Sequence, residues 1–216
     1  MVVREKFELE LQELKDMLIE LSACAAQSIR GSFEALEKQD MELALEIIER
    51  DERADLLEEE INEFAIQLIT RQQPVAIDLR RIIAAIKIAS DIERMADFGV
   101  NIAKAAIRIG EKPFIMPLTL YKEMHDVTLE MMDLSIQAFK DDDVVLARKI
   151  VFMDEKVDIL YGQCMKELLK LSHENIQQVT QLSLIARFLE RTADHTTNIA
   201  ENIYYLVRGR YLDLND

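Results

Sequence analysis

The chain repeats itself, and this constrains its fold more than any other feature. Glu93-Arg94-Met95-Ala96-Asp97, followed by Asn101-Ile102-Ala103, returns as Glu190-Arg191-Thr192-Ala193-Asp194 followed by Asn198-Ile199-Ala200, an offset of 97 residues. Asp51-Glu52-Arg53-Ala54-Asp55 returns as Asp154-Glu155-Lys156-Val157-Asp158, an offset of 103 residues. Charged and apolar positions agree together, which helical composition alone does not produce. Because the offsets differ, the second copy has a shorter passage between its last two helices. The segment around Pro74 is what it lacks.

Hydrophobic periodicity says what each copy is made of. Phe7, Leu11, Leu14, Leu18, Leu21 and Ala25 alternate spacings of four and three, the stripe of a bundle helix. That helix runs to about Glu37, and Lys38-Gln39-Asp40 turns the chain. Asp40 has the chemistry of an N-cap for a second helix, which ends near Thr70. Pro74 stands near the first turn of a third helix, where a missing N–H does no harm. The third helix is apolar nearly all round (Leu79, Ile82, Ile83, Ile86, Ile88, Ile92, Val100, Ile102) and reads as the innermost. Gly110 to Pro117 breaks the pattern with one Gly and two Pro. Helices over about 118–140, 144–171 and 175–208 follow, separated by Asp141-Asp142-Asp143 and Ser172-His173-Glu174. The expectation is an all-α chain of six long helices in two tandem, internally repeated three-helix bundles. The first covers residues 1–112 and the second 113–216.

Composition narrows the class. Lys and Arg number 26 against 41 Asp and Glu, a net charge of −15. Nucleic-acid backbones need clustered cations, and anionic membrane faces need the same, so neither is a partner by charge. Five Gly, three Pro and no Trp leave little material for the turns of an all-β chain. The longest apolar stretches, such as Ile82 to Ile88, are short and contain Lys87, so no helix spans a bilayer. No apolar signal segment follows the charged start Arg4-Glu5-Lys6. Cys24 and Cys164 form no CxxC pair and read as small thiols of a cytoplasmic protein. Any membrane association would come through partners.

The repeated carboxylates carry the chemistry. In the second helix Asp51, Asp55 and Glu58 interrupt a seam that runs Ala44, Ile47, Ile48 and then Ile61, Ala65, Leu68. In the fifth, Asp154 and Asp158 lie between Ile150-Val151 and Tyr161, Met165 and Leu168. Glu93 with Asp97, and Glu190 with Asp194, lie on or beside the apolar stripes of the third and sixth helices. Residues four apart stack one turn apart, about 6 Å along the axis at a 1.5 Å rise per residue. Two such pairs facing each other across helices put four carboxylates in one site, which needs protons, Arg or Lys partners, or metal. Arg94 and Arg191 could neutralise part of the charge. One reading is a set of interhelical salt bridges with solvated acids; the other is a carboxylate-rich metal site in each bundle.

An all-oxygen donor set suits Mg, Ca, Mn or ferric iron and disfavours structural zinc. His125, His173 and His195 show no HxxxH or HExxH spacing. A ferritin-like di-iron centre wants Glu-x-x-His, but Ala96 and Ala193 follow Glu93 and Glu190 at that spacing. Met124, Met131 and Met132 read as adaptable core, and Tyr204 and Tyr205 as bundle-edge residues. No Gly-rich phosphate loop, nucleophile elbow or Cys/His pair marks an active site.

Several stretches together resemble the PhoU family of phosphate-signalling regulators over nearly the full length. They are Arg4-Glu5-Lys6-Phe7, the run from Arg71-Gln72-Gln73-Pro74 through Asp78-Leu79-Arg80, both Glu-Arg-x-x-Asp repeats, and Ile203-Tyr204-Tyr205-Leu206-Val207-Arg208-Gly209. The second copy keeps His195 after its Asp, as the family motif does, whereas the first has Phe98 there. The resemblance implies two similar three-helix bundles and a homodimer. It also implies multinuclear metal sites with carboxylate ligands, iron first, with Mn, Mg, Ca or Zn as alternatives. Carried onto this chain, the ligands are Glu93, Asp97, Asp51 and Asp55 in one bundle and Glu190, Asp194, Asp154 and Asp158 in the other. Asn101, Asn198 and His195 stand as supporting residues. The implied role is non-enzymatic: an adaptor linking a phosphate-specific ABC transporter, through its ATPase subunit, to a membrane sensor histidine kinase, repressing the starvation response when phosphate is plentiful. The rival readings are a carboxylate-bridged metal enzyme or metal store, and a helical scaffold whose acids are merely solvated.

Overall fold

The computed structural model describes residues 2–171 and 175–210. Among these residues there is no strand, and seven helical segments follow one another. They are α1 (Val2–Lys38), α2 (Met41–Glu49), α3 (Glu52–Gln72), α4 (Ala76–Ile109), α5 (Thr119–Asp141), α6 (Val144–Lys170) and α7 (Ile176–Arg208). The expected break at Ser172-His173-Glu174 lies outside the described residues.

Together these seven segments make up the six expected helices, with the second divided at Arg50-Asp51. The division is a tightening rather than a loop. Arg50 and Asp51 keep right-handed helical backbone angles. Arg53 N–H donates to the Arg50 carbonyl at 3.3 Å and Ala54 N–H to the Asp51 carbonyl at 2.9 Å, a short three-residue return. The equivalent α6 runs without interruption. Pro74 lies just outside α4, whose N-cap is the extended Val75.

The start of the second helix is built alike in both copies. Asp40 accepts from Leu43 N–H at 3.0 Å, and Asp143 from Val145 and Leu146 N–H at 2.8 and 3.1 Å. Each cap follows a left-handed residue, Gln39 at φ 53° and Asp142 at φ 51°. Each also returns its own N–H at 2.9 Å to a carbonyl of the preceding helix, Ala35 or Ala138. The duplication therefore extends to turn geometry.

Packing follows the stripes, with corrections. Phe7, Leu14, Leu18, Leu21 and Ala25 are buried on α1. On α4 Ile82, Ile88, Ile92, Val100 and Ile102 are buried, but Leu79 and Ile83 are exposed among the described residues. The acids do not interrupt the seams, as expected, but border them. The apolar line of α3 continues through Ala54, Leu57 and Ile61, and that of α6 through Val157, Leu160 and Cys164. Met124, Met131 and Met132 are core. Both cysteines are free thiols.

α4 packs on α1, α2, α3 and α7, and α7 packs on α4, α5 and α6, so one apolar core runs through both halves. α4 and α7 cross antiparallel: Asp91 meets His195 at 2.8 Å while Phe98 stacks on Phe188 at 5.9 Å between ring centroids. Under the 97-residue offset Asp91 corresponds to Phe188 and Phe98 to His195. A pseudo-two-fold axis thus passes between the helices, with a polar pair on one side and an aromatic pair on the other. α1 comes close to α4 at Gly99, where a Cβ would stand 2.2 Å from Ser28 Oγ and 2.7 Å from the Ser28 carbonyl carbon.

Candidate metal centre

Within each repeat the predicted acids influence one another's charge, and those influences stay within the repeat. Asp51 stands at the α2–α3 junction, with Asp55 one turn further on; Glu93 and Asp97 share one side of α4. Their mutual effect is electrostatic. Half-burial raises the Asp51 carboxyl, and the charges of Asp55 and Asp97 raise it further against Lys104. Burial and then Asp97 raise Glu93, opposed by Arg94, with Asp55 and Glu58 adding to the rise. Glu58 is the acid that the paired spacing alone did not assign to this site. It lies three residues beyond Asp55, the other spacing that keeps a helical face.

In the second repeat the same four positions influence one another's charge. Burial lifts the Asp154 carboxyl to about 6, aided by Asp158, Asp194 and Glu190. Glu190 is raised by burial and by Asp194, against Arg187. Glu190 is only 8% exposed, whereas Asp158 and Asp194 face solvent. Arg187 bridges one oxygen of Glu190. Its other oxygen, and Oδ1 of Asp154, are buried without a hydrogen-bond partner. Two orphaned carboxylate oxygens on opposed helices are a costly arrangement without a proton or a cation. The donor set fits a hard cation in that respect. In the arrangement described, no three His, Cys, Asp or Glu side chains converge closely enough to hold a metal ion.

The two expected neutralising arginines behave differently. Arg94 lies 3.5 Å from Glu93 and 3.3 Å from Asp97. Arg191 instead lies over the Phe98 ring, 5.4 Å from its centroid. Two of the supporting residues contact another acid, Asp91. His195 Nδ1 is 2.8 Å from Asp91 Oδ1, and Asn198 donates to the same oxygen at 3.3 Å. Both serve the junction of α4 with α7 rather than the acids of their own repeat. Asn101 is half-buried on α4.

The geometry defines a duplicated helical bundle whose chemistry is concentrated in two sets of paired acids. The family model described as the PhoU domain matches residues 18–106 and again residues 121–203. A protein of Clostridium acetobutylicum, named as a phosphate-specific transport system accessory protein PhoU homolog, is 37% identical over 220 residues, covering 100% of both chains. One of the same name from Aquifex aeolicus is 40% identical over 203 residues, 93% of this chain and 92% of its own. Among solved structures, PhoU from Pseudomonas aeruginosa superposes with a TM-score of 0.90 at 30% identity, over 94% of this chain and 100% of its own. The phosphate transport system regulatory protein PhoU from Streptococcus pneumoniae gives 0.90 at 31% identity, over 96% and 100%. The chain belongs to the PhoU family. No helix among the described residues is long and apolar enough to cross a membrane.

Proposed function

We propose that this chain is a non-enzymatic regulator of phosphate uptake and of the phosphate-starvation response. It acts as a cytoplasmic adaptor between the ATPase subunit of a phosphate-specific ABC transporter and a sensor histidine kinase, restraining the response when phosphate is plentiful. The observation that carries this reading is the full-length match, at 37% identity, to a protein named as an accessory of the phosphate-specific transport system. In this reading residues 1–112 and 113–216 are the two units of a protomer that pairs as a homodimer. The protein reaches the membrane only through its partners.

Each unit offers one carboxylate site for cations, with iron first and Mn, Mg, Ca or Zn as alternatives. Asp51, Asp55, Glu93 and Asp97 would hold one site, and Asp154, Asp158, Glu190 and Asp194 the other. A bound cation would supply the positive charge that lets four neighbouring carboxylates ionise together. The orphaned oxygens of Asp154 and Glu190 support this use of the second site. Metal that binds the folded chain alone would also stabilise it by mass action.

Capture of the purified chain by the transporter's ATPase subunit and by the kinase's cytoplasmic region tests the adaptor, with metal analysis on the same sample. Binding to either partner is the expected result. Metal present with no binding to either would overturn the adaptor reading and leave metal handling.

A further inference from the structure

Phe152 is 73% exposed in the middle of α6, where a large aromatic side chain has no partner from the protein's own core. It does not stand alone. Val145, Ile159 and Leu169 are also exposed, and the four recur at spacings of seven, seven and ten, which keep them on one face of the helix. Gly162 lies beside that line, and a Cβ there would meet nothing within 4 Å. The packing of this chain therefore does not require a glycine, although glycine inside a helix costs stability against alanine.

The duplicated scaffold does not account for this face. The 103-residue offset sets Glu42 against Val145, Glu46 against Lys149, Glu49 against Phe152 and Glu63 against Lys166. Where the α2–α3 side carries acids, the α6 side carries apolar residues and cations. Two apolar positions are kept in both repeats: Leu56 answers Ile159, Ile66 answers Leu169, and all four side chains are exposed. One chain thus holds an acidic helix face and a more basic one, each with an apolar pair ten residues apart. Pairing either face with its own copy brings like charges together, whereas pairing one with the other joins opposite charges.

We propose that the outer face of α6 docks antiparallel along α3 of a second copy of this chain. Antiparallel order sets Ile159 against the partner's Ile66 and Leu169 against the partner's Leu56 in a single register, because the two pairs are spaced alike. The same register sets Lys166 opposite the partner's Glu59, and Gly162, with no side chain to obstruct, opposite the partner's Glu63. Parallel order would instead bring Lys156 to the partner's Arg53 and Glu155 to the partner's Glu52. Lys149 and Lys156 already reach Glu130 and Glu123 of α5, at 3.5 and 2.9 Å, so Lys166 carries the charge matching. Burial of the apolar line supplies the attraction; the charges select the helix and its direction. The contact rests on the regulatory reading for the number of chains: made twice about a two-fold axis, it gives the homodimer of that reading.

Sedimentation equilibrium of the full-length chain over a range of concentrations tests the face. The expected result is a monomer–dimer equilibrium. Ile159→Glu and Ile66→Lys should each weaken it at least ten-fold, while Leu9→Glu, at an exposed apolar position on α1, leaves it unchanged. Lys166→Glu and Glu59→Lys should each weaken it by about three- to ten-fold, the scale of exposed ion pairs, and the double variant should recover the wild-type affinity. A merely structural effect gives no such recovery. Dimers unaffected by Ile159→Glu and Ile66→Lys, or no recovery in the double variant, overturn this face and leave the homodimer. Assemblies that grow beyond two chains and are broken by both substitutions keep the face and remove the homodimer. A chain that stays monomeric at every concentration overturns both, and none of these outcomes touches capture by the transporter or the kinase.

Discussion

The two carboxylate sets use the same residues at the same repeat positions, yet they differ in how their charge is balanced. In the first repeat Arg94 reaches both Glu93 and Asp97, and Lys104 opposes the rise of Asp51. In the second, Arg191 is drawn to the face of Phe98 across the α4–α7 crossing. Arg187 takes one oxygen of Glu190 and leaves the other unpaired. The cause lies at one position of the motif. Phe98 stands where the second copy has His195, and an aromatic face there attracts the arginine that would otherwise turn to its own acids. Duplication preserved the donors; the neighbours set their charge state.

That contrast can be broken in several ways. The largest effect concerns the proposed cation. Glu190→Ala/Asp194→Ala should abolish metal at the second site while the first keeps its own, so metal per chain by elemental analysis falls to about half, a loss following from removal of two of four ligands. Unchanged metal content would sink the assignment. Glu93→Ala/Asp97→Ala is the mirror experiment.

Stability should separate the repeats next. Gly99 admits α1 because it has no Cβ, whereas its repeat counterpart Thr196 is accommodated, buried on α7. Gly99→Ala should therefore cost about 1–3 kcal/mol in urea unfolding, the range of an overpacked core, because the clash involves Ser28 backbone as well as its side chain. A change below about 0.5 kcal/mol, the scale of an ordinary surface substitution, would show that the helices simply part there.

A pH comparison is smaller. Asp154 is raised from an ordinary 3.8 to about 6, so the folded state binds its proton more tightly than the unfolded state does. Its ionisation therefore costs metal-free stability above pH about 6, and the cost disappears as pH falls below about 4. Discounted for solvent screening of a half-exposed group, the cost is about 1 kcal/mol at pH 8. Asp154→Asn should be more stable than the wild type by that amount at pH 8, with the difference fading toward pH 4. Asp51→Asn should gain less, because Lys104 already offsets that charge. Equal gains would erase the contrast between the two sites.

The smallest effect is at the crossing. His195→Leu removes the 2.8 Å contact to Asp91 and leaves only the longer Asn198 contact, costing about 1 kcal/mol in chemical unfolding, the usual worth of such a bond. A neutral result would mean that solvent satisfies Asp91 equally well.

Much of this molecule was legible in its residues. Asp40 announced a cap, and its repeat partner Asp143 caps in the same way. The spacing of Asp51 with Asp55 and of Glu93 with Asp97 picked out acids that influence one another's charge across helices. Less legible was the exact seam. Ala54, Leu57 and Val157, rather than the acids, carry the core line, because the packing of whole helices chooses among neighbouring faces. Leu79 and Ile83 are as apolar as their buried neighbours on α4, yet no element among the described residues covers them.

By itself the sequence determined the helices, their caps, the duplication and the identity of the acids, because these rest on interactions within one or two turns of chain. Only the tertiary structure decided which cation meets which acid, that His195 and Asn198 serve Asp91, and that Arg148 lies against Tyr204. Those contacts depend on how α4 crosses α7 and where α6 begins beside the end of α7. Such distances are set by packing the whole core at once, and no local spacing rule encodes them.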